Sequence, residues 1–148
     1  MTTKRETILA RVLTLVTPTT GISNRAYRDR VVALTRTETP SILVEVVSDT
    51  AEQTTSVPTL DWTMTIRCSV IVRSSSPFTT ADAVVENMHS RLMADLTLNG
   101  QAIDIEPTNV SFEQIDADQP AGVVGCEYVI RYRTVSYTHL TLPTNREV

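Results

Sequence analysis

From Leu60 to Arg73 the chain alternates without a slip. Leu60, Trp62, Met64, Ile66, Cys68, Val70 and Val72 fall on one side, and Asp61, Thr63, Thr65, Arg67, Ser69, Ile71 and Arg73 on the other. A period of two held over fourteen positions predicts a long β-strand with one buried and one wet face. The N-terminal pattern is different. Ile8, Val12, Leu15 and Val16 recur at helical spacing, with Leu9 and Leu13 widening the stripe, and this predicts an amphipathic helix. Thr3 and Glu6 have the spacing of a capping box, and Pro18 stops the helix. Residues 17–24 read as a loop rich in turn formers. Residues 25–36 suit a first strand, and residues 37–40 break it. Residues 41–52 predict a second strand with apolar groups on both faces: Ile42, Val44 and Val46 opposite Leu43, Glu45 and Val47. The stretch from Ser48 to Thr59 is polar and is expected to hold a long hairpin loop.

Beyond the turn at residues 74–77 the period returns to that of a helix. Thr79 or Thr80 is the expected N-cap, Asp82 lies in the first turn, and Ala81, Val84, Val85, Met88, Leu92 and Leu96 form the stripe. Asn99-Gly100 is the expected left-handed C-cap. Short strands are predicted at 101–106 and 109–116, a turn at 116–122, and a last strand at 123–134. In that last strand Val124, Cys126, Tyr128, Ile130 and Tyr132 share one face. The expected fold class is α+β: a twisted, mostly antiparallel or mixed β-sheet with two α-helices packed on one face. The other face, with Arg67, Arg73, Glu127 and Arg131, must meet water or another subunit.

Composition narrows the class. At 148 residues the chain is about one domain long and can bury a core without a metal or disulfide staple. No apolar run approaches the ~20 residues of a membrane span, and no secretory signal is expected. Thirteen bases against seventeen acids give a net charge of −4, which argues against a DNA-gripping protein. The charge is uneven, however. Residues 1–40 hold seven bases and three acids, while residues 41–135 hold five bases and thirteen acids. Such a chain could stack head to tail or around a ring, positive edge to negative edge. Twelve of the thirteen bases are arginine, a residue favoured at protein interfaces.

Candidate chemistry is sparse. Cys68 and Cys126 lack CxxC spacing and sit in strand-like runs, so buried free thiols are expected. A disulfide would need their strands to be neighbours. His89 and His139 are the only histidines, and His89 reads as a surface or boundary residue. No HExxH, GxSxG, GxGxxG or Walker motif occurs. No catalytic residue, cofactor or metal site is therefore assigned, and the chain is not read as an enzyme.

The last thirteen residues, 136–148, carry no pattern linked to the core. They resemble read-through of adaptor sequence of the kind seen at the ends of unrelated conceptual translations. A single domain over residues 1–135 is expected, with 136–148 a non-native or disordered tail.

Tyr27-Arg28-Asp29-Arg30, then Glu38-Thr39-Pro40-Ser41-Ile42-Leu43-Val44, a polar loop and a long alternating strand together resemble the phage tail terminator family, the minor tail protein U type of long-tailed phages. The resemblance covers roughly residues 3–134. It implies a small structural subunit that assembles with itself, as a hexamer, into a ring. That ring caps the tail tube, ends addition of the major tail tube protein and offers a surface to the head-completion or neck protein. DNA would pass through its lumen without specific binding, and no membrane is involved. The implied location is the head-proximal end of the virion tail, after assembly in the host cytoplasm. An acidic lumen suits sliding DNA because it repels phosphate. Within this picture Arg28 and Arg30 are expected at a subunit interface. Asp49 and Glu52 are expected on a tube-docking loop, and Arg67 and Arg73 on the open sheet face. The alternatives are a head-completion, neck or tail-tube-like protein, or a small intracellular ligand-binding module.

Overall fold

The computed structural model describes residues 3–28, 40–52, 59–74, 76–115 and 121–135. Its elements are α1 (Lys4–Val16), β1 (Ala26–Arg28), β2 (Ser41–Glu52), β3 (Thr59–Arg73), α2 (Pro77–Met93), β4 (Asp104–Ile115) and β5 (Ala121–Val135). The five strands form one mixed sheet in the order β1-β2-β3-β5-β4. Only the β1–β2 pair is parallel. The fold is α+β, as expected. Among the described residues no helix is long and apolar enough to cross a membrane.

The alternating strand β3 lies at the centre of the sheet, between β2 and β5. Met64, Ile66, Cys68, Val70 and Val72 point to the helix side and are fully or almost fully buried. Directly opposite them, β5 supplies Ile130, Tyr128, Cys126, Val124 and Gly122. Helix α1 adds Ile8, Leu9, Val12 and Val16, and α2 adds Ala81, Val84, Met88 and Leu92. These side chains make one continuous core on one face of the sheet. The two cysteines are exact cross-strand partners, and both are free. Burial pushes the Cys126 thiol up to about 11 and the Cys68 thiol higher still, so both stay protonated and are poor nucleophiles.

Strand β2 spans Ser41–Glu52, as read for residues 41–52, and a bulge between Val46 and Ser48 shifts its register while the ladder runs on to the Glu52–Asp61 pair. Other boundaries depart from the sequence reading. The two short strands expected at 101–106 and 109–116 are one strand, β4, with a bulge between Pro107 and Asn109 absorbing the irregularity. Helix α2 starts at Pro77, not at Thr79 or Thr80. Ser76 is its N-cap, without a side-chain cap bond, and proline fits the first turn because its missing N–H would be unpaired there.

The same helix ends at Met93 rather than at Asn99-Gly100. Asp95 accepts the Asn99 N–H at 3.1 Å and the Arg11 Nε at 2.8 Å, and the chain turns so that Leu98 reaches the core. Leu98, Asn99 and Gly100 then lie in succession in the left-handed region, and Leu96, expected in the stripe, is exposed. The capping box is half made. The Thr3 hydroxyl accepts the Glu6 N–H at 3.0 Å, but the Glu6 carboxylate turns away to Arg28. Of the first predicted strand, residues 25–28 fall in the described residues, and Ala26–Arg28 of these form β1. Residues 29–39, 53–58, 116–120 and the tail 136–148 lie outside the described residues.

Gly122 sits where β5 passes the start of α2. A Cβ there would lie 2.7 Å from the Pro77 Cβ and 3.2 Å from the Phe78 ring. Gly122→Ala must therefore push α2 off the sheet. We expect a loss of about 1–3 kcal/mol, read as a lower urea midpoint with an unchanged slope.

Candidate interaction surfaces

The six residues singled out from the sequence do not converge on one site. Arg28 forms a two-pronged pair with Glu6, at 2.6 and 3.0 Å, and so ties β1 to the first turn of α1. The Arg28 guanidinium holds the Glu6 carboxyl below its usual range. Arg30 lies outside the described residues. Asp49 is in a paired strand, not on a docking loop, and its side chain is only 5 % exposed. The bulge in β2 turns it to the helix side, opposite Met64. There one carboxylate oxygen accepts the Tyr132 hydroxyl and the Arg5 Nη1, while the other is buried without a partner among the described residues. Burial raises the Asp49 carboxyl, against the pull of Tyr132 and Arg5. Tyr132 in turn stacks on Trp62 at 5.9 Å, and the Trp62 indole donates to Thr134 at 2.7 Å.

Glu52, Arg67 and Arg73 project from the other side of the sheet, which no described element covers. The register places seven acids there (Glu45, Glu52, Asp61, Asp104, Glu106, Glu113 and Glu127) with four arginines (Arg67, Arg73, Arg131 and Arg133). Three of those arginines are held by carboxylates. Arg67 meets Glu127 at 2.9 Å, Arg133 meets Asp61 at 2.6 Å, and Arg131 meets both Asp104, at 3.0 Å, and Glu106. The Arg73 Nε is buried with no partner among the described residues. A shallow depression of about 310 Å³ crosses this face, where Ser69, Gly125 and Ser111 stand side by side on β3, β5 and β4. A Cβ at Gly125 would come within 3.0 Å of the Ser111 hydroxyl, so the small row is close-packed at its base.

The β4 edge is a second surface, one the sequence did not disclose. Strand β4 pairs with β5 alone, leaving its outer backbone groups without a strand partner among the described residues. Val110 and Phe112 face the helix side, opposite Cys126 and Val124 of β5. They nonetheless remain 47 % and 65 % exposed, because β4 lies past the cover of α2. Phe112 packs edge to face with Phe78, ring centroids 5.6 Å apart. Beside Val110 an apolar pocket of about 220 Å³ opens between α2 and the bulge of β4, lined by Val85, His89, Pro107, Cys126 and Tyr128. His89 is half-buried, at the boundary, in line with its reading as a surface or boundary residue. Its Nδ1 lies 3.0 Å from the Tyr128 hydroxyl, and the two rings stack at 6.0 Å. Its partner across the sheet, Tyr128, was not legible in the sequence.

Among the described residues no cluster of three or more His, Cys, Asp or Glu is placed to hold a metal ion. No protein-family model matches the chain, and no curated protein matches it.

The two carboxyls on the α1 side titrate in opposite senses. Glu6 is depressed in the fold, so its contribution is present at neutral pH and is lost as pH falls through its folded value. Asp49 is raised, so its contribution is present in acid and is lost as pH rises through its folded value. In urea titrations from pH 3 to 7, Glu6→Gln should cost ~0.5 kcal/mol at neutral pH, a solvent-screened pair's worth, and converge on the parent in acid. Asp49→Asn should instead gain on the parent as pH rises from 4 to 7.

Proposed function

We propose that this chain is a structural subunit of a long-tailed phage that assembles with itself into a ring, expected to be hexameric. The ring caps the tail tube, ends tube growth and presents a surface to the head-completion or neck protein. The resemblance in residues 27–30 and 38–44 motivates the reading. The observation that carries it is the open sheet face. A five-stranded sheet with helices on one side only has half its area left for water or a neighbour. That area is acidic, and its arginines are mostly engaged by carboxylates. A wall of this kind offers little free positive charge to grip phosphate, which suits a lumen through which DNA slides. A subunit whose task is to end a polymer needs shape and contacts rather than a reactive group.

The placement of Asp49 changes one detail of the reading. It serves as a brace between α1, β2 and β5, and only Glu52, at the outer end of the hairpin, remains available for tube contact. Size-exclusion chromatography with light scattering should show a discrete ring at micromolar concentration. Electron microscopy should show single rings or back-to-back pairs. Added to polymerising major tail tube protein, the rings should shorten the tubes. Open stacks of rings would instead favour a tube-like protein, and a persistent monomer without effect on tubes would refute the reading.

A further inference from the structure

The β4 edge carries a knob and a hole two residues apart. Every residue from Glu106 to Gln114 is exposed, a run that neither β3 nor β5 shows. Pro107 and the bulge beside it interrupt the ladder early, which leaves residues 109–115 as the regular part of the edge. On the helix side of that part Phe112 is 65 % exposed. Two positions back on the same face, Val110 borders the apolar pocket of about 220 Å³. An apolar cavity of ~150 Å³ takes up benzene, so this one has room for a phenyl ring. Phe112 does not fill its own pocket. It meets Phe78 at the start of α2, about two turns from the pocket residue Val85.

We propose that β4 pairs antiparallel with β4 of a second copy, about a two-fold axis through Ser111, and that the Phe112 ring of each copy fills the other's pocket. In this register Phe112 of one copy lies opposite Val110 of the second, twice over, on the helix side. Asn109 lies opposite Glu113 on the open face, where its amide N–H donates to the carboxylate. Ser111, the smallest side chain between Asn109 and Ile115, faces its own twin at the axis. The outer backbone groups of β4 then find partners, and two five-stranded sheets become one. Strand addition of this type takes its affinity from main-chain hydrogen bonds and its specificity from pockets for alternate side chains.

A second copy is the occupant because the edge is its own complement, as a two-fold contact requires. Charge selects the register. Glu113 is the sole ionisable residue between Pro107 and Ile115. With the axis at Ser111, the two Glu113 side chains stand four positions apart, about 13 Å at ~3.3 Å per residue. Moving the axis to Phe112 would bring these carboxylates to diagonal positions, where like charges repel. Moving it to Val110 would set Phe112 against Thr108 in the bulge. Asp104 and Glu106 lie before the paired segment and are held by Arg131. A two-fold contact joins copies in pairs and cannot close a ring by itself. It is therefore additional to the ring contact proposed above, and it does not rest on the capping role.

Cysteine cross-linking of the full chain reads the register directly. The native Cys68 and Cys126 are buried and protonated, so they stay out of the reaction. Ser111→Cys should give a disulfide-linked dimer under mild oxidation, because directly opposed residues stand within disulfide range. Glu113→Cys should not link to itself, yet should link to Asn109→Cys when the two variants are mixed. In sedimentation velocity, Phe112→Asp should weaken pairing about tenfold or more. Circular dichroism of each variant checks the fold. Should Phe112→Asp misfold, the cysteine variants decide alone. An unlinked Ser111→Cys, a Glu113→Cys that links to itself as readily as to Asn109→Cys, or undiminished pairing in Phe112→Asp would overturn the proposal. Rings built by a chain whose Ser111→Cys variant stays unlinked would refute this contact and leave the ring standing. Linked dimers from a chain that never forms rings would support the contact and refute the ring.

Discussion

The central strand is apolar on one side and wet on the other, and the remaining architecture follows from that division. The inward row of β3 must be buried along its length, which calls for a strand on each side and helices above. Strands β2 and β5 supply the first, α1 and α2 the second, and the largest buried side chains of β5, Tyr128 and Tyr132, fill the layer between. The outward row, with Asp61, Thr63, Thr65 and Arg67, gives no helix anything apolar to pack on. The uncovered sheet face is thus written into one strand's sequence, and the question of what meets that face is posed before any functional reading begins.

Polar groups inside the covered layer are few, and each sits where elements meet. Asp49 is the clearest. It is buried beside Tyr132 and Arg5, and one of its oxygens lacks a partner among the described residues. A buried carboxylate that is only partly satisfied costs stability, which is why its carboxyl is raised. What it gives in return is registry. It fixes the phase of β2 beyond the bulge and the reach of the first turn of α1 over the hairpin. The Trp62–Tyr132 stack and the Trp62–Thr134 bond close the same end of the sheet from the side of β3 and β5.

Legibility in the sequence tracked periodicity. Long regular runs were read correctly: β3, most of β5, α1, and the buried stripe of α2 through Leu92. Misreadings fell where a local device breaks the period. The bulge at Pro107–Asn109 made one strand look like two. At α2, proline and serine before the helix competed with two threonines inside it for the role of cap, and the positional preference of proline for the first turn decided the matter. The interaction surfaces were legible only in part. A face can be inferred from alternation within one strand. An edge cannot, because it depends on strand order, and nothing local in residues 104–115 announces that β4 comes last.

Charge shows the same gap between chain and molecule. The sequence divides into a basic first part and an acidic remainder, which suggests two oppositely charged ends. In the fold much of that opposition is spent internally. Arg5 meets Asp49, Arg11 meets Asp95, and Arg28 meets Glu6. These pairs join α1 to β2, to the turn after α2 and to β1, so the basic helix is tied to the molecule rather than held out to a partner. Only Glu6 among those acids is itself in the basic part; the other two come from the acidic remainder. The surplus that survives is the negative charge of the open face and of the β4 edge, where Glu113 has no ion-pair partner among the described residues. An assembly driven by charge must therefore find its positive counterpart in whatever arginines the fold leaves unspent. That requirement, and not the net charge of −4, is what limits how two copies can meet.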